Sequence, residues 1–441
     1  MTGTTNITME LPSQGNGPVA QIHKKNRALP YIMCSLGAMF YLYEFVLQVS
    51  PSVMTSQLMR DLQLDAAGLG AMSAFYYYAY TPMQLPAGLL YDRFGPRILI
   101  TIAVLICAAG ACFFGLTHTI ALASVGRFFM GIGSAFSFIG ALILIARWFP
   151  AKQFAFLAGI VQLMSSIGAI AGQAPLAMAI NTWGWRHTIL WTSAIGLLLS
   201  ILIWVVVRDA PADEVIKKTA PQKGELKRLY QVCGNRQTWF CGIYTFASWA
   251  PITAFAALWG VPFLATKYGI SIQAASASCA MIWLGIGLAS PAIGWWSDNI
   301  GKRNKPLTIA ALIGIVAITA IIYMPVLPMP VLYGLLFFLG VAASGQALSF
   351  AVVKDNNPRN AVGTAIGFNN MATVAGGALF QPLVGLMLHF NWLGKVQAGV
   401  PVYSVHNYHI AFSVVPLCYV LAAVMSYFFI RETHCHSQFP H

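Results

Sequence analysis

The chain has 441 residues, of which 58% are hydrophobic, 13% aromatic and only 8% charged, with a mean hydropathy of +0.69. A soluble globule cannot hide that much apolar surface beneath so thin a polar coat, which excludes a cytosolic enzyme, a nucleic-acid-binding protein and a secreted disulfide scaffold. The composition predicts an all-α membrane protein, and the formal charge of +13 becomes a question of topology and anionic headgroups.

A bilayer core takes about 20 apolar residues per helix. Runs of that length, separated by polar or Gly/Pro breaks, predict twelve spans. The first six cover 29–52, 69–91, 96–117, 120–148, 153–179 and 188–207, and the second six cover 238–265, 271–296, 306–326, 328–352, 361–389 and 408–430. The expected organisation is a polar tail at 1–27, a six-helix bundle at 28–208, a linker at 209–236, a second six-helix bundle at 237–431 and a short tail at 432–441. The first tail ends in Lys24, Lys25 and Arg27, as a signal peptide's basic region would, but the run that follows is long, carries Glu44 and offers no small-residue cleavage site. It reads as a retained span.

With the amino terminus placed in the cytoplasm, 20 of the 25 Lys and Arg residues fall on the cytoplasmic side. Arg60, Arg186, Lys267 and Lys395 fall opposite, and Arg127 lies inside a span. The positive-inside rule therefore puts both termini in the cytoplasm. Among the eight cysteines, Cys233 and Cys435 stand alone in polar segments and the rest lie in apolar runs, so no disulfide framework or metal-ligating spacing emerges. No catalytic residue, cofactor or metal is expected. His434-Cys435-His436 lacks a second cluster, and no phosphate loop or nucleophile elbow is present.

The linker divides the spans six and six, and the halves carry matching motifs. Gly88, Asp92, Gly95 and Arg97 after the second span correspond to Gly294, Asp298, Gly301 and Arg303 after the eighth, at an offset of 206 residues. Gly159, Gly168 and Gln173 correspond to Gly367, Gly376 and Gln381 at an offset of 208. Same-direction copies predict two parallel six-helix repeats related by an axis along the membrane normal. The segment from Gly88 to Arg97 resembles the signature loop of the major facilitator superfamily, and Gly126-Arg127-Phe-Phe-Met-Gly131-Ile-Gly133 resembles its fourth-helix motif. Gly126–Gly133, Tyr268–Ala277 and Gly363–Phe368 are similar to the lysosomal dipeptide transporter group and its bacterial relatives. The resemblance implies the major facilitator fold, alternating access, and a cytoplasmic latch of the outward-open state formed by Gly88, Asp92, Arg93, Gly95 and Arg97 with Gly294, Asp298, Gly301 and Arg303.

Eleven of the twelve carboxylates lie in loops, tails or linker, and Glu44 is the exception. A charge near a helix centre costs roughly 2.5–3.5 kcal/mol to insert, so Glu44 is expected to face an interior cavity and to serve as a proton or cation site. Tyr41 and Gln48 share its helix face, and Arg127 is the matching intramembrane cation. A Glu44–Arg127 pair that only ties helices together is the alternative. In the second span, Tyr77 and Tyr80 share a face with Gln84 and are expected in the cavity, with Tyr76 and Tyr78 packed or facing lipid. Gln346, Asn369 and Asn370 offer neutral hydrogen bonds from the second half, or act as interhelical glue.

The fifth span lacks the Pro and closing Gly pair of the drug:proton antiporter motif, and Glu44 stands where an organophosphate antiporter presents an arginine. The dipeptide transporter group's fourth-helix acidic residue falls on Ala135 and its fifth-helix arginine on Ser166, which weakens recognition of cationic dipeptides. The expected function is secondary active transport of a small polar metabolite, an amino acid, short peptide or organic acid, in proton symport through Glu44. A uniporter of the same solutes and a non-transporting solute receptor are the alternatives. The expected setting is a monomer in a bacterial inner membrane, with the small-molecule substrate, protons and the lipid bilayer as partners and no nucleic acid.

Overall fold

The computed structural model describes residues 28–209, 225–358 and 361–439. The described residues are built on helices apart from one antiparallel ribbon, Val396–Gln397 paired with Val400–Pro401, before the last span. Lys217, Lys218 and Lys223 of the linker, and Arg359, lie outside the described residues, as does the side chain of Asp92.

In the first half the spans are Leu29–Val49, Ala66–Phe94, Pro96–Leu116, the two-part fourth span Ile120–Ser134 and Ser137–Trp148, then a fifth formed by Ala151–Ala171 with the first part of Ala174–Val206, and a sixth, 185–206, formed by the remainder after Gly184. The second half begins with a linker helix, Glu225–Gly234. Its seventh span runs as Arg236–Pro251, a π-helical stretch Ile252–Trp259, and Gly260–Tyr268. Ile272–Ile300, Asn304–Tyr323, the pair Met329–Ala343 and Gly345–Asp355, Val362–Phe390, and finally Val405–Ala411 with Val414–Val424 complete it. Helix starts follow from their caps: Asp65 Oδ1 accepts from the Gly68 N–H at 2.7 Å, and Ser404 with Asn407 forms a capping box. Gly95 (φ 79°) and Gly301 (φ 61°) end the second and eighth spans in a backbone conformation open to glycine.

Ten segments among the described residues are long and apolar enough to cross a membrane. One of them, Phe156–Val206, has 51 residues, more than twice the roughly 20 that one crossing takes, and it turns at Gly184 (φ 77°, ψ 158°). Ala66–Phe94, at 29 residues, is long enough but diluted by tyrosines, Gln84 and two prolines. Counting the doubled segment as two and adding this helix gives twelve.

The sequence repeat reappears as repeated packing. Gly168 of the fifth span seats its backbone against Leu42 of the first, and Gly376 of the eleventh seats against Ala250 of the seventh, both pairs being offset by 208. Likewise Gly131 packs on the Tyr76 carbonyl and Gly340 on the Ile282 carbonyl. Only a residue without a side chain allows helices to approach so closely.

Between the halves the spacing is graded. A methyl group placed on Gly70 would stand 2.5 Å from the Gln381 carbonyl, one on Gly377 would stand 2.6 Å from the Tyr77 ring, and one on Gly367 would stand 3.6 Å from the Gln84 carbonyl. At Gly88 and Gly363 it would meet nothing within 4 Å. The fifth and eighth spans diverge in the same way, from Gly287, where it would stand 3.0 Å from Ser166, to open space at Gly159 and Gly294. The halves therefore touch at the face opposite the basic loops and splay apart toward them.

Candidate functional site

Where the halves meet at mid-depth, a small pocket of about 30 Å³ is lined by Tyr41, Glu44, Gln48 and Tyr80 from the first half and by Trp249, Gln346 and Asn370 from the second. Phe45, Phe138, Gln162, Phe350, Thr373 and Val374 complete it. A larger cavity of about 700 Å³ adjoins it on the side of the basic loops, reaching past Leu142, Ala146 and Phe154 to Gly88, Arg228 and Gly363. Phe138 and Asn370 border both cavities. Between them Asn370 Nδ2 donates to Gln84 Oε1 at 2.7 Å across the two halves, and Gln84 Nε2 donates to the Ala135 carbonyl at 3.3 Å.

Glu44 is almost wholly buried, at 1% exposure. Its Oε1 accepts from the Tyr76 hydroxyl at 2.5 Å, and its Oε2 has no hydrogen-bond partner among the described residues. The structure does not pair it directly with Arg127. The Arg127 guanidinium lies over the Tyr76 ring, 4.7 Å from its centroid, and donates to the Leu47 carbonyl at 2.8 Å and the Gln48 carbonyl at 3.5 Å. Arginine's planar, weakly hydrated head suits such stacking. Cation and carboxylate thus meet through one tyrosine, which sequence reasoning had assigned to packing or lipid; Tyr78, by contrast, is 46% exposed.

Two other expected cavity residues lie elsewhere. Tyr77 presses its ring on Gly377 and closes the contact between the second and eleventh spans. Asn369 Nδ2 donates to Ser349 Oγ at 2.8 Å, which joins a hydroxyl chain through Thr245 and Thr373 and ties the seventh, tenth and eleventh spans together. Trp249, Gln162 and Phe138 were missed from sequence, yet a signal for them exists. Adding 208 to Tyr41, Phe138, Leu142 and Gln162 gives Trp249, Gln346, Phe350 and Asn370, and all eight line one or both of the cavities.

On the opposite face, Asp65 Oδ2 and His389 Nδ1 meet at 2.7 Å, and the Ala66 N–H donates to the Tyr403 hydroxyl at 2.9 Å. Nearby, Gln173 Nε2 donates to the Ala256 carbonyl at 3.1 Å across the halves. Around the repeated loops the bonds found stay within each half. Arg97 donates through its backbone N–H to Asp209 at 2.9 Å and through Nε to the Trp204 carbonyl at 3.0 Å, while Arg93 lies over Phe94. Arg303 pairs with Asp298 at 2.8 Å and Asp355 at 3.2 Å.

The Major Facilitator Superfamily profile matches residues 33–380 and 245–439. A protein of Escherichia coli K12 described as a probable galactarate/D-glucarate transporter, GarP, is 25% identical over 417 residues, covering 86% of this chain and 89% of its own. The human lysosomal dipeptide transporter MFSD1 is 24% identical over 384 residues, covering 81% and 78%. Among solved structures, a bacterial homolog of the human lysosomal transporter Spinster, inward-facing and unoccupied, superposes with a TM-score of 0.75 at 16% identity over 91% of this chain and 97% of its own. A D-xylose-proton symporter does so with 0.71 at 18% identity over 92% and 98%. On this evidence the chain belongs to the major facilitator superfamily, as an integral membrane transporter of small solutes and not an enzyme.

Proposed function

We propose that this protein moves a small polar metabolite, an amino acid, short peptide or organic acid, by alternating access, with Glu44 as the proton-coupling group and the Glu44 pocket as the substrate site. The observation that carries the reading is the graded gap between the halves: closed at Gly70 and Gln381, open at Gly88 and Gly363, with the pocket at its apex lined from both sides. A rocking motion that closed the wide end and opened the narrow one would expose the same pocket to the other face. Taken with the basic loops, this is the inward-open state of a bacterial inner-membrane protein with both termini in the cytoplasm. The repeated loops, whose Arg97 and Arg303 bond within their own halves here, become the latch across the halves when that end closes.

The test is uptake into proteoliposomes from a complex metabolite and peptide extract under a proton gradient, read by mass spectrometry against empty vesicles. Accumulation of one solute class that is lost without the gradient supports coupled transport, and accumulation indifferent to the gradient leaves uniport. Folded protein that accumulates nothing with either gradient direction overturns the reading in favour of a solute receptor.

A further inference from the structure

We propose that the central pocket selects a small organic cation, a solute presenting an ammonium group and no net negative charge; this rests on the same pocket being the transport site. Three observations converge on that chemistry. First, Glu44 is 1% exposed and its Oε2 lies without a hydrogen-bond partner among the described residues. A carboxylate at membrane depth calls for a proton or a compensating cation, and among the described residues no Lys, Arg or His lines this pocket, which leaves the cation to the solute in the deprotonated state. Arg127 makes no direct ion pair with Glu44: the Tyr76 ring lies under its guanidinium and two backbone carbonyls accept from its amino groups.

Second, the walls are aromatic. Phe138 lies 5.2 Å from Tyr41, Tyr41 lies 5.1 Å from Phe45 and edge-on to it at 88°, and Phe45 meets Trp283 at 5.8 Å, which in turn meets Trp249 at 6.4 Å. Of these rings Tyr41, Phe45, Phe138 and Trp249 line the pocket from both halves, with Trp283 behind them, and an aromatic face carries a negative quadrupole that attracts an ammonium and repels a carboxylate. Third, the remaining polar lining is amide and hydroxyl: Gln48, Gln162, Gln346, Asn370 and Thr373. Amide carbonyls accept from N–H and O–H groups, but these neutral side chains cannot balance an anion beside Glu44. The pocket's 30 Å³ is about the room of one water molecule and takes an ammonium nitrogen alone, so the rest of the solute extends past Asn370 and Phe138 into the larger cavity.

The experiment uses the full chain in lipid nanodiscs and a panel of small amines and quaternary ammonium compounds, including choline. Each is paired with its uncharged carbon isostere and with the carboxylate of the same skeleton. Binding is read by thermal shift and by displacement of radiolabelled choline or of whichever panel member shifts most. The expected result is that cations bind and their partners do not, that Glu44→Gln weakens the cation by at least about tenfold, and that Trp249→Leu weakens it by about tenfold. Glu44→Gln keeps the side-chain shape, so a folding defect is separable by its Tm without ligand. A panel in which no cation binds, in which isosteres or carboxylates bind as well, or in which Glu44→Gln changes nothing overturns the proposal. Cations that bind without accumulating in vesicles count against transport and leave the ligand class standing; accumulation of a carboxylate with no cation binding does the reverse.

Discussion

Tyr76 connects the two intramembrane charges, and its consequences are measurable one residue at a time. Its hydroxyl holds Glu44 Oε1 at 2.5 Å while its ring carries Arg127. Tyr76→Phe keeps the ring and removes the hydrogen bond, so it is expected to cost about 1.5–3 kcal/mol, typical of a bond to a charged group, and to lower Tm while leaving Arg127 stacked. Tyr76→Leu removes both and is expected to cost more; equal losses in thermal denaturation would show that the stacking contributes nothing. Glu44→Gln is expected to abolish the response of uptake to a proton gradient, and gradient-driven uptake persisting in this variant would overturn the coupling role. Much of the pocket was legible in sequence, because Glu44 is alone among carboxylates in lying inside a span and polar residues at membrane depth need a reason to be there. Tyr76 was not, although it stands four residues from Tyr80 and eight from Gln84 and so shares their face; the structure stacks Tyr76 and Tyr80 at 5.8 Å. Phe138 and Trp249 escaped because an aromatic side chain in an apolar run looks like bulk until its counterpart in the other repeat is consulted.

At the scale of single elements, the helix pairs depend on glycines placed against a neighbouring backbone. Gly131→Val and Gly340→Val each force a side chain into a main-chain carbonyl, of Tyr76 and Ile282 respectively. Overpacking of this kind costs about 1–3 kcal/mol, and matching falls in Tm are expected because the two sites are repeats of one contact. A fall for one variant only would separate the halves energetically. The carboxy-terminal segment forms a different kind of joint. Glu432 accepts from the backbone N–H groups of Arg303 at 2.8 Å, Asn304 at 2.9 Å and His434 at 3.0 Å, an anion at the amino terminus of the ninth span. Partial burial raises its pKa, but the three donors outweigh burial and leave it below the ordinary carboxylate value. A depressed pKa means that docking is complete above the unfolded value, about 4.3, and is lost as pH falls through the lower folded one. Amide protection at Asn304 and His434, taken relative to the intrinsic exchange rate at each pH, is therefore expected to be high at neutral pH and to fall on acidification below that value; Glu432→Gln should show low protection throughout. Helix positions were readable from apolar length alone, whereas these joints were not, since a carboxylate in a polar tail carries no mark of which helix end it meets.

For the molecule as a whole, closure opposite the basic loops depends mainly on backbone packing. The Asp65–His389 pair is partly exposed, at 36% and 43% of its side chains, and pairs so exposed contribute at most about 1 kcal/mol. His389→Ala is accordingly expected to change transport little, whereas Gly70→Leu drives a side chain into Gln381 and Pro382 and should hold that face apart. Joining Asp65→Cys to His389→Cys by disulfide, in a background without the native cysteines, should stop turnover while Gly88→Cys stays reactive to a bulky maleimide. Loss of that reactivity on cross-linking would contradict the hinge. The two-fold plan was visible in the 206- and 208-residue offsets, but which end gaped was not, because paired repeats of this kind are compatible with a gap at either end. The wide cavity of about 700 Å³ also has a pharmacological side. A rigid, mostly apolar compound shaped to it would act as a wedge, jamming the carrier without resembling its cargo, and substrate supplied from the sealed face could not displace it. Such an inhibitor would have to be delivered to the compartment that the basic loops face, so its potency in cells would depend on permeation as much as on fit.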